Sequence, residues 1–544
     1  MSEKPTDVRP GRPGTLRSLW LAMRSWRTAS VSLLSFSSGL PLGLVWIAIP
    51  DWLRSIGVDI KVVGLITLAQ APWTFKFLWS PLMDRYVPPF LGRRRGWMLI
   101  AQVGLLAGTL ALAGVGDHPD AIWVVGALAL AIALASATQD IAIDAYAVDV
   151  LREDEQGIAV GARIAIYRAA MFIAGGGAIT LAGQFGWQAV NVGLALLYVP
   201  MMIITRFSPE PEDQAAAPTS MKEAVWYPFL GFLSRHRALE ILAFVVLYKL
   251  ADNLGGSLLR PFLVDMGYSE VDRGVALATI GLFATLAGTL IGGICTTLWG
   301  LGNSLWIFGF LQVFSNIGYI LVAGADVNRP LMFGALGFES FTQGLGTGAF
   351  SVLLLRMTQK RFSATQYALF SSLFGIPRLL AGPLAGFAVD AAGWTTFFWI
   401  TIFSGIPGLL LLARFVPLGV REPEFAVAEI TTRKPLSGGE LATRGVVGGL
   451  VGLLAGAGIV ALLDALKAYR EDKTAGFDLV SPLGDLFAPE GVAGWSTTIG
   501  LLAFAAIVGL MTAAVVAARH GAADRLRLEE ERLEAKEGSG PEAP

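Results

Sequence analysis

Residues 97–116 read WMLIAQVGLLAGTLALAGVG, an apolar stretch that contains no charged side chain. An α-helix needs about 20 such residues to cross the hydrocarbon core of a bilayer. Similar stretches, separated by charged segments, recur from residue 30 to residue 518. The sequence therefore predicts an all-α polytopic membrane protein, and no β-barrel alternation competes with this interpretation.

The composition of the 544 residues agrees with this class. Charged residues make up 15% of the chain and hydrophobic residues 54%, whereas a soluble domain carries about 25% charged residues. The net charge of −1 gives no reason to expect nucleic acid as a partner. A single cysteine, Cys295, excludes an internal disulfide, and the three histidines are widely separated. We therefore expect no metal centre and no cofactor.

Fourteen segments are long and apolar enough to be transmembrane helices. The predicted spans are 30–51, 61–83, 97–116, 121–149, 158–184, 187–206, 239–264, 273–298, 303–323, 330–356, 364–390, 394–416, 445–466 and 495–518.

The distribution of Lys and Arg predicts the orientation, because cytoplasmic loops carry an excess of positive charge. With the N-terminus inside, 29 of the 41 basic residues fall on the cytoplasmic side, 8 on the opposite side and 4 within spans. This count assigns Arg163 to the cytoplasmic surface. Both termini are therefore predicted to be cytoplasmic.

An internal repeat divides the first twelve spans into a first half (30–206) and a second half (239–416). Tyr167-Arg168 and Gly186-Trp187 recur as Pro377-Arg378 and Gly393-Trp394, with a Gly-rich stretch between each pair. Two parallel six-helix halves are the architecture of major facilitator transporters. The remaining segments are a cytoplasmic tail (1–29), an inter-half linker (207–238), a second linker (417–444), an extra helical hairpin (445–518) and a cytoplasmic C-terminal tail (519–544). The Gly-rich thirteenth span predicts a structural hairpin or, alternatively, a dimerisation face.

Eight charged residues within the predicted spans are candidates for intramembrane sites, where a charge is costly. They form one cluster in each half at similar depth, as expected for a cavity between two halves. The first-half residues are Lys76, Asp140, Asp144 and Arg168, and those of the second half are Lys249, Asp252, Glu339 and Arg378. Lys249 and Asp252 are neighbours at i,i+3 on one helix. Structural ion pairs that lock helices together remain an alternative for all eight.

Asp140 and Asp144 lie one helical turn apart on one face. Two carboxylates so close repel when both are ionised, which favours a proton on one of them. We therefore predict that this pair couples transport to protons, with Lys76 or Arg168 stabilising the second carboxylate. Aromatic residues near these charges are candidates for stacking on a sugar ring: Trp46, Trp73, Phe75, Trp79 and Tyr167.

The loop after the second span, Ser80–Trp97, resembles the gating motif of major facilitators, G-x-L-x-D-R-x-G-R-[RK]. The first Gly of the motif is absent, and a Pro-Pro pair is inserted. The resemblance implies that Asp84 pairs with an Arg and latches the cytoplasmic gate. The motif residues are Asp84, Arg85, Gly92, Arg93 and Arg94.

Four longer segments within residues 30–416 resemble AmpG-type muropeptide permeases. They are Phe75-Lys-Phe-Leu-Trp-Ser-Pro-Leu-Met-Asp-Arg-Tyr86, Ser136-Ala-Thr-Gln-Asp-Ile-Ala-Ile-Asp-Ala-Tyr146, Leu247-Tyr-Lys-Leu-Ala-Asp252 and Phe362-Ser-Ala-Thr-Gln-Tyr-Ala-Leu369.

This resemblance implies a proton symporter that imports anhydromuropeptides from periplasm to cytoplasm for peptidoglycan recycling. In some bacteria such import supplies the signal for β-lactamase induction. The protein is therefore expected in the inner membrane of a Gram-negative bacterium, as a monomer. Its expected partners are protons, membrane lipid and the substrate. The resemblance carries over to Lys76, Gln139, Asp140, Asp144, Lys249, Asp252, Glu339 and Arg378 as members of matching segments. The full set predicted to bind substrate or form charge pairs is Lys76, Gln139, Arg168, Lys249, Asp252, Glu339, Gln343 and Arg378.

Three other functions remain open from the sequence. A major facilitator could carry another anionic solute, such as a coenzyme A ester or a sugar. A membrane-embedded transferase would need a catalytic acid–base set at the interface, and two six-helix repeats would be unusual for it. A sensor that has lost transport would not be expected to keep its intramembrane charges.

Overall fold

A computed structural model of the chain describes residues 16–58, 67–115, 122–211, 217–233, 237–423, 436–471, 477–489 and 491–520. Within these ranges, all regular secondary structure is helical. The chain forms two compact units. The larger consists of Met1–Ala224 with Glu240–Glu424, and the smaller of Val225–Leu239 with Phe425–Pro544.

In the larger unit, the helices of the first half and the preceding segment are α1 Leu16–Arg24, α2 Trp26–Gly43, α3 Ile49–Ser55, α4 Ala71–Phe75, α5 Ser80–Arg85, α6 Arg93–Val115, α7 Ile122–Val150, α8 Glu153–Phe172, α9 Ala178–Leu196 and α10 Tyr198–Phe207. The helices that follow are α11 Met221–Leu233, α12 Ala238–Leu247, α13 Leu250–Ser257, α14 Leu259–Asp265, α15 Glu270–Gly274, α16 Leu282–Trp299, α17 Leu301–Ser315, α18 Ile317–Ala323, α19 Arg329–Met357 and α20 Ser363–Phe415. The C-terminal helices are α21 Gly438–Glu471, α22 Val480–Phe487 and α23 Gly491–Arg519. Short π-helical turns at Leu44–Ala48, Ile173–Gly177 and Val275–Gly281 continue several of these helices.

Ten helical segments of the described residues are long and apolar enough to cross a membrane. One of them, Glu153–Phe207, contains two of the predicted spans. Helices α19 and the first part of α20 lie where two further spans are predicted, although they are not among the ten. The start of the span 61–83 lies outside the described residues. The count of fourteen therefore stays a prediction.

The helices differ from the predicted boundaries at several positions. Helix α1 and the start of α2 lie in the segment predicted as a polar tail, α11 lies in the inter-half linker, and α21 begins within the second linker. Helix α8 begins at Glu153, five residues before the predicted span. These differences follow from short amphipathic stretches and helix ends that extend beyond the apolar core of a span.

The two halves repeat the same turn geometry. Gly186 and Gly393 both have positive φ (78° and 76°) with extended ψ, and each separates two consecutive transmembrane segments. Each turn is followed by a tryptophan. The ring of Trp187 stacks on that of Trp52 with 5.6 Å between the ring centroids, and the rings of Trp394 and Phe262 have their centroids 5.1 Å apart. The repeat inferred from sequence therefore corresponds to a repeated local structure.

Proline interrupts the segment predicted as the second span. Pro81 has no N–H, and its ring clashes with the carbonyl of residue i−4 in a regular helix. The chain accordingly forms a 3₁₀ turn at Lys76–Leu78 between α4 and α5. Lys76 thus lies at a helix break, where its buried side chain reaches toward α7.

The C-terminal hairpin packs through its glycines. A Cβ atom on Gly448 would lie 2.2 Å from Thr512, and one on Gly452 would lie 2.8 Å from Val508, both on α23. Close approach of this kind requires small residues at the helix interface. The glycine stripe that suggested a dimerisation face is therefore occupied by the partner helix of the same hairpin.

Candidate transport site

Three elements of the first half meet at the carboxylate of Asp144 on α7. Lys76 Nζ lies 3.2 Å from Asp144 Oδ2, and the guanidinium of Arg163 on α8 forms an ion pair with Asp144 Oδ1. The exposed fractions of the three side chains are only 10% to 15%. Each oxygen of Asp144 faces a cation, so this arrangement suits an ionised carboxylate. Arg163, assigned to the cytoplasmic surface by the charge count, instead belongs to this interior cluster.

Asp140 lies one turn from Asp144 on the same helix and has fewer partners. Its Oδ1 is buried and has no hydrogen-bond partner among the described residues. The neighbouring Gln139 donates from Nε2 to Ser37 Oγ at 2.9 Å, and both of these side chains are fully buried. The two aspartates therefore occupy different environments: Asp144 forms ion pairs with two cations, and Asp140 does not.

A cavity of about 390 Å³ lies beside this cluster, and residues of both halves line it. Arg163, Tyr167 and Arg168 line it from α8, and Tyr367 lines it from α20. The other lining residues are Ser35, Leu42, Trp46, Ile164, Met171, Thr347 and Ser351. Its size falls within the range of roughly 300–1,000 Å³ that is usual for small-molecule sites.

The structure separates the five aromatic candidates. Trp46 and Tyr167 line the cavity, and Trp73 contacts Trp46 edge to face at 5.9 Å. Trp79 donates from Nε1 to Thr138 at 3.2 Å, and Phe75 is 43% exposed. Trp46 and Trp73 both bury an indole Nε1 that has no hydrogen-bond partner among the described residues. Trp46 therefore brings its ring, and not an accessible N–H group, to the cavity.

The second half buries a different cluster, which begins at a break between α12 and α13. Lys249 lies in this break; its Nζ contacts Asp252 Oδ2 at 2.8 Å and also donates to Gln312 Oε1 on α17. The i,i+3 pair predicted from sequence is therefore formed. Gln343 contributes its backbone carbonyl, 3.5 Å from Lys249 Nζ.

Glu339 on α19 is buried in the same half but contacts hydroxyl groups. Tyr319 donates to Glu339 Oε2 at 3.1 Å, and Ser340 Oγ lies 3.5 Å from the same oxygen. The predicted partner role of Arg378 concerns a side chain outside the described part of the structure.

The gating motif connects the two halves. Asp84 is fully buried and accepts hydrogen bonds from Arg93 (3.0 Å) and Arg94 (2.9 Å). It also accepts from the backbone N–H groups of Ala364 (3.3 Å) and Thr365 (2.8 Å), at the first turn of α20. A carboxylate is stabilised there by the unpaired N–H groups and the positive end of the helix dipole. Arg85 lies over the Tyr86 ring, and Gly92 adopts positive φ in the turn before Arg93.

Further contacts between the halves lie near the same end of the molecule. Arg94 binds Asp149 at the end of α7 (2.8 Å) and Ser363 at the start of α20 (2.6 Å). Helices α8 and α16 approach so closely that a Cβ on Gly157 would lie 2.6 Å from the carbonyl oxygen of Gly293. The halves are therefore closed together at the end that the charge distribution predicts to be cytoplasmic.

Sequence reasoning missed Asp149, Arg163, Ser363 and Thr365 as members of these networks. Ser363 and Thr365 lie in the quoted segment Phe362–Leu369, and Asp149 follows Asp144 at the end of α7. A search for polar residues at predicted helix ends would have found the three that lie there.

Known proteins place the chain in a family. Residues 31–381 match the profile of the Major Facilitator Superfamily. The anhydromuropeptide permease of Escherichia coli K12 is 42% identical over 388 residues, which cover 71% of this chain and 79% of the relative. The chain belongs to the AmpG-type permeases of the Major Facilitator Superfamily. AmpG-type proteins are transporters and not enzymes, and this chain is accordingly a multi-pass membrane transporter with the major facilitator fold.

Structural alignments with solved transporters support the fold of this AmpG-type chain. The human organic anion transporter MFSD10 aligns with a TM-score of 0.52 and 15% identity, covering 73% of this chain and 99% of that one. A bacterial homologue of the iron transporter ferroportin, in an outward-facing state, aligns with a TM-score of 0.51 and 16% identity, covering 72% and 98%.

Proposed function

We propose that the protein is a proton symporter that imports anhydromuropeptides from periplasm to cytoplasm for peptidoglycan recycling. The observation that carries this proposal is the 42% identity, over most of the chain, to the E. coli anhydromuropeptide permease. The proposal places the protein in the inner membrane as a monomer with both termini in the cytoplasm. In bacteria that sense muropeptides, the same import supplies the signal for β-lactamase induction.

The cavity supports this substrate class. An anhydromuropeptide carries peptide carboxylates and sugar hydroxyl groups. Arg163 and Arg168 offer guanidinium groups for a carboxylate, which they bind in bidentate geometry. The hydroxyl groups of Ser35, Thr347 and Ser351 suit sugar hydroxyls, and the Trp46 face provides an apolar surface for a ring.

The arrangement around α7 supports the proposed proton coupling. Arg163 both lines the cavity and holds Asp144, so a substrate carboxylate competes with Asp144 for the same guanidinium. Asp140, one turn away, accepts the proton that compensates for this rearrangement. The proton and the substrate therefore act on one charge network, which is the requirement for coupled movement.

Alternating access is supported by the closed end of the molecule. The Asp84 contacts with the first turn of α20 hold the halves together, so release of substrate to the cytoplasm requires these hydrogen bonds to break. Net import follows when an inward proton gradient favours protonation of Asp140 from the periplasm and its deprotonation toward the cytoplasm.

Uptake of labelled anhydromuropeptide into cells that express the protein tests the function. We expect accumulation that a protonophore abolishes, and excess unlabelled anhydromuropeptide should compete while a coenzyme A ester should not. Uptake that resists the protonophore would contradict proton coupling. Absence of any uptake by a correctly inserted protein would contradict the substrate assignment.

The Asp140→Asn variant tests the proton site. We expect loss of proton-coupled uptake with normal folding and insertion, because the amide cannot take up a proton. Asp51→Asn is the matched control, since Asp51 is an exposed carboxylate at the start of α3. Wild-type uptake with full pH dependence in Asp140→Asn would exclude Asp140 as the coupling group.

A further inference from the structure

The carboxyl group of Glu339 is buried without a counter-ion among the described side chains. The residue is 6% exposed, and its Oε2 atom contacts the hydroxyl groups of Tyr319 and Ser340. In the part of the chain that the structure describes, no lysine, arginine or histidine forms an ion pair with it. A buried carboxylate of this kind is expensive, and such a group commonly takes up a proton instead.

The lysine of this cluster already has other partners. Lys249 holds Asp252 at 2.8 Å and also donates to Gln312 and to the Gln343 carbonyl. With Glu339 ionised, the described second-half cluster would have one cation for two carboxylates. In the first half, Lys76 and Arg163 together balance Asp140 and Asp144. Among the described side chains, the excess of negative charge therefore lies in the second-half cluster.

The elements packed against α19 add few other titratable groups near Glu339. Tyr319 faces it from α18, and Asp252 and Lys249 act on it from the α12–α13 break. Helices α16 and α17 contain no Asp, Glu, His, Lys or Arg, and the titratable group on α16 is Cys295.

Helix α7, which also contacts α19, carries Asp140, Asp144 and Asp149. The remaining charged neighbours of α19 lie farther along it or are not described. Arg163 and Arg168 of α8 line the cavity with Thr347, which is eight residues beyond Glu339, or about 12 Å along the helix. The Arg378 side chain on α20 is outside the described part. An additional donor lies nearby: Asn316, one turn before Tyr319, buries an Nδ2 atom that has no partner among the described residues.

We propose that Glu339 is a second proton-binding site of the transporter, in the half opposite to Asp140. The inference rests on the proposed proton symport and extends it to one protonatable carboxyl per half. The reaction is uptake of H⁺ by the Glu339 carboxylate to give the acid, and its release to the opposite side. Release leaves Asp252 and Glu339 competing for Lys249, which loosens the link from Lys249 to Gln312 and lets α13 move relative to α17.

Infrared difference spectroscopy on the purified full-length protein tests proton binding without any substrate. Titration from acid to alkaline pH should remove a carbonyl band of a protonated carboxylic acid. The part of this band that Glu339 contributes should be absent in Glu339→Gln and present in Glu339→Asp, while Asp140 contributes its own part in both variants. Tyr319→Phe, which removes one hydroxyl partner, should retain the Glu339 part of the band but titrate at a different pH. A band in Glu339→Gln that is identical to that of the wild type would overturn the assignment.

A transport measurement then tests the role of the site in coupling. In proteoliposomes, the steady-state accumulation of anhydromuropeptide should depend less steeply on the pH gradient in Glu339→Gln than in the wild type. The difference in slope should correspond to one proton fewer for each substrate molecule transported. An unchanged dependence would overturn the coupling role. If no anhydromuropeptide is transported by the wild type, the proposed function fails, whereas the infrared result still decides whether Glu339 binds a proton.

Discussion

The two halves share a turn geometry but hold their buried charges differently. In the first half, Asp144 is fixed by Lys76 and Arg163 from two other elements, so the ion pairs tie three parts of the chain together. In the second half, Lys249 pairs with Asp252 only three residues away, and Glu339 relies on hydroxyl groups.

This difference indicates that the charge networks of the two halves resist helix movement to different degrees. A long-range ion pair stabilises one packing of its helices, because separating the partners leaves buried charges uncompensated. A local pair moves with its own helix and resists relative motion less. We therefore expect the first half to supply the rigid charge network beside the cavity and the second half to supply the more easily rearranged one.

The largest expected effect comes from Asp144→Asn. This change leaves Lys76 and Arg163 without their shared carboxylate, and breaking a buried ion pair costs about 3–5 kcal/mol. We expect a lower thermal midpoint of the purified protein, measured by tryptophan fluorescence. Asp140→Asn on the same helix face is the control and should be much milder. Equal destabilisation by both changes would contradict the distinction between the two aspartates.

Lys249→Met should have an intermediate effect. Hydrogen bonds to charged groups contribute about 1.5–3 kcal/mol, and Asp252 can be neutralised by a proton once its cation is removed. The loss of stability should therefore shrink as the pH falls. The double variant Lys249→Met/Asp252→Asn should recover part of the loss at neutral pH, and strictly additive losses would argue against a coupled pair.

Ser37→Ala should cause the smallest loss of stability, and it serves as a reference in which only an uncharged hydrogen bond is removed. It removes the acceptor of Gln139 Nε2 between α2 and α7, a neutral hydrogen bond worth about 0.5–1.5 kcal/mol. Ser55→Ala is a control outside the cavity, because Ser55 bonds its own helix at the Trp52 carbonyl. A loss as large as that of Asp144→Asn would show that charge is not the decisive difference.

Much of this comparison was accessible from the sequence. Spacing predicted the Lys249–Asp252 pair and the shared face of Asp140 and Asp144, because helical periodicity fixes neighbours within one helix. Depth along the spans also brought Lys76 close to the aspartates. The resemblance to the gating motif singled out Asp84 and its arginines.

Partners on different helices could not be predicted, since they depend on how each helix is rotated about its axis. Arg163 lies only five residues from the predicted start of its span at 158, so the charge count assigns it to the cytoplasmic surface, whereas α8 begins at Glu153. The approach of Thr365 to Asp84 joins residues 281 positions apart. The hydroxyl environment of Glu339 likewise depends on α18, whose Tyr319 carries no charge that would mark it in the sequence.

The Asp84 contact also sets an energy scale for the transport cycle. In effect, α20 receives its N-terminal cap from a residue of the other half, because the Asp84 carboxylate accepts from the N–H groups of Ala364 and Thr365. Loss of a helix cap costs about 0.5–2 kcal/mol. When the halves part, water can replace the lost acceptor at the exposed helix end. Loss of this cap between the halves therefore costs only a few RT, and the ion pairs of Asp84 and Arg94 add to the cost of opening the gate.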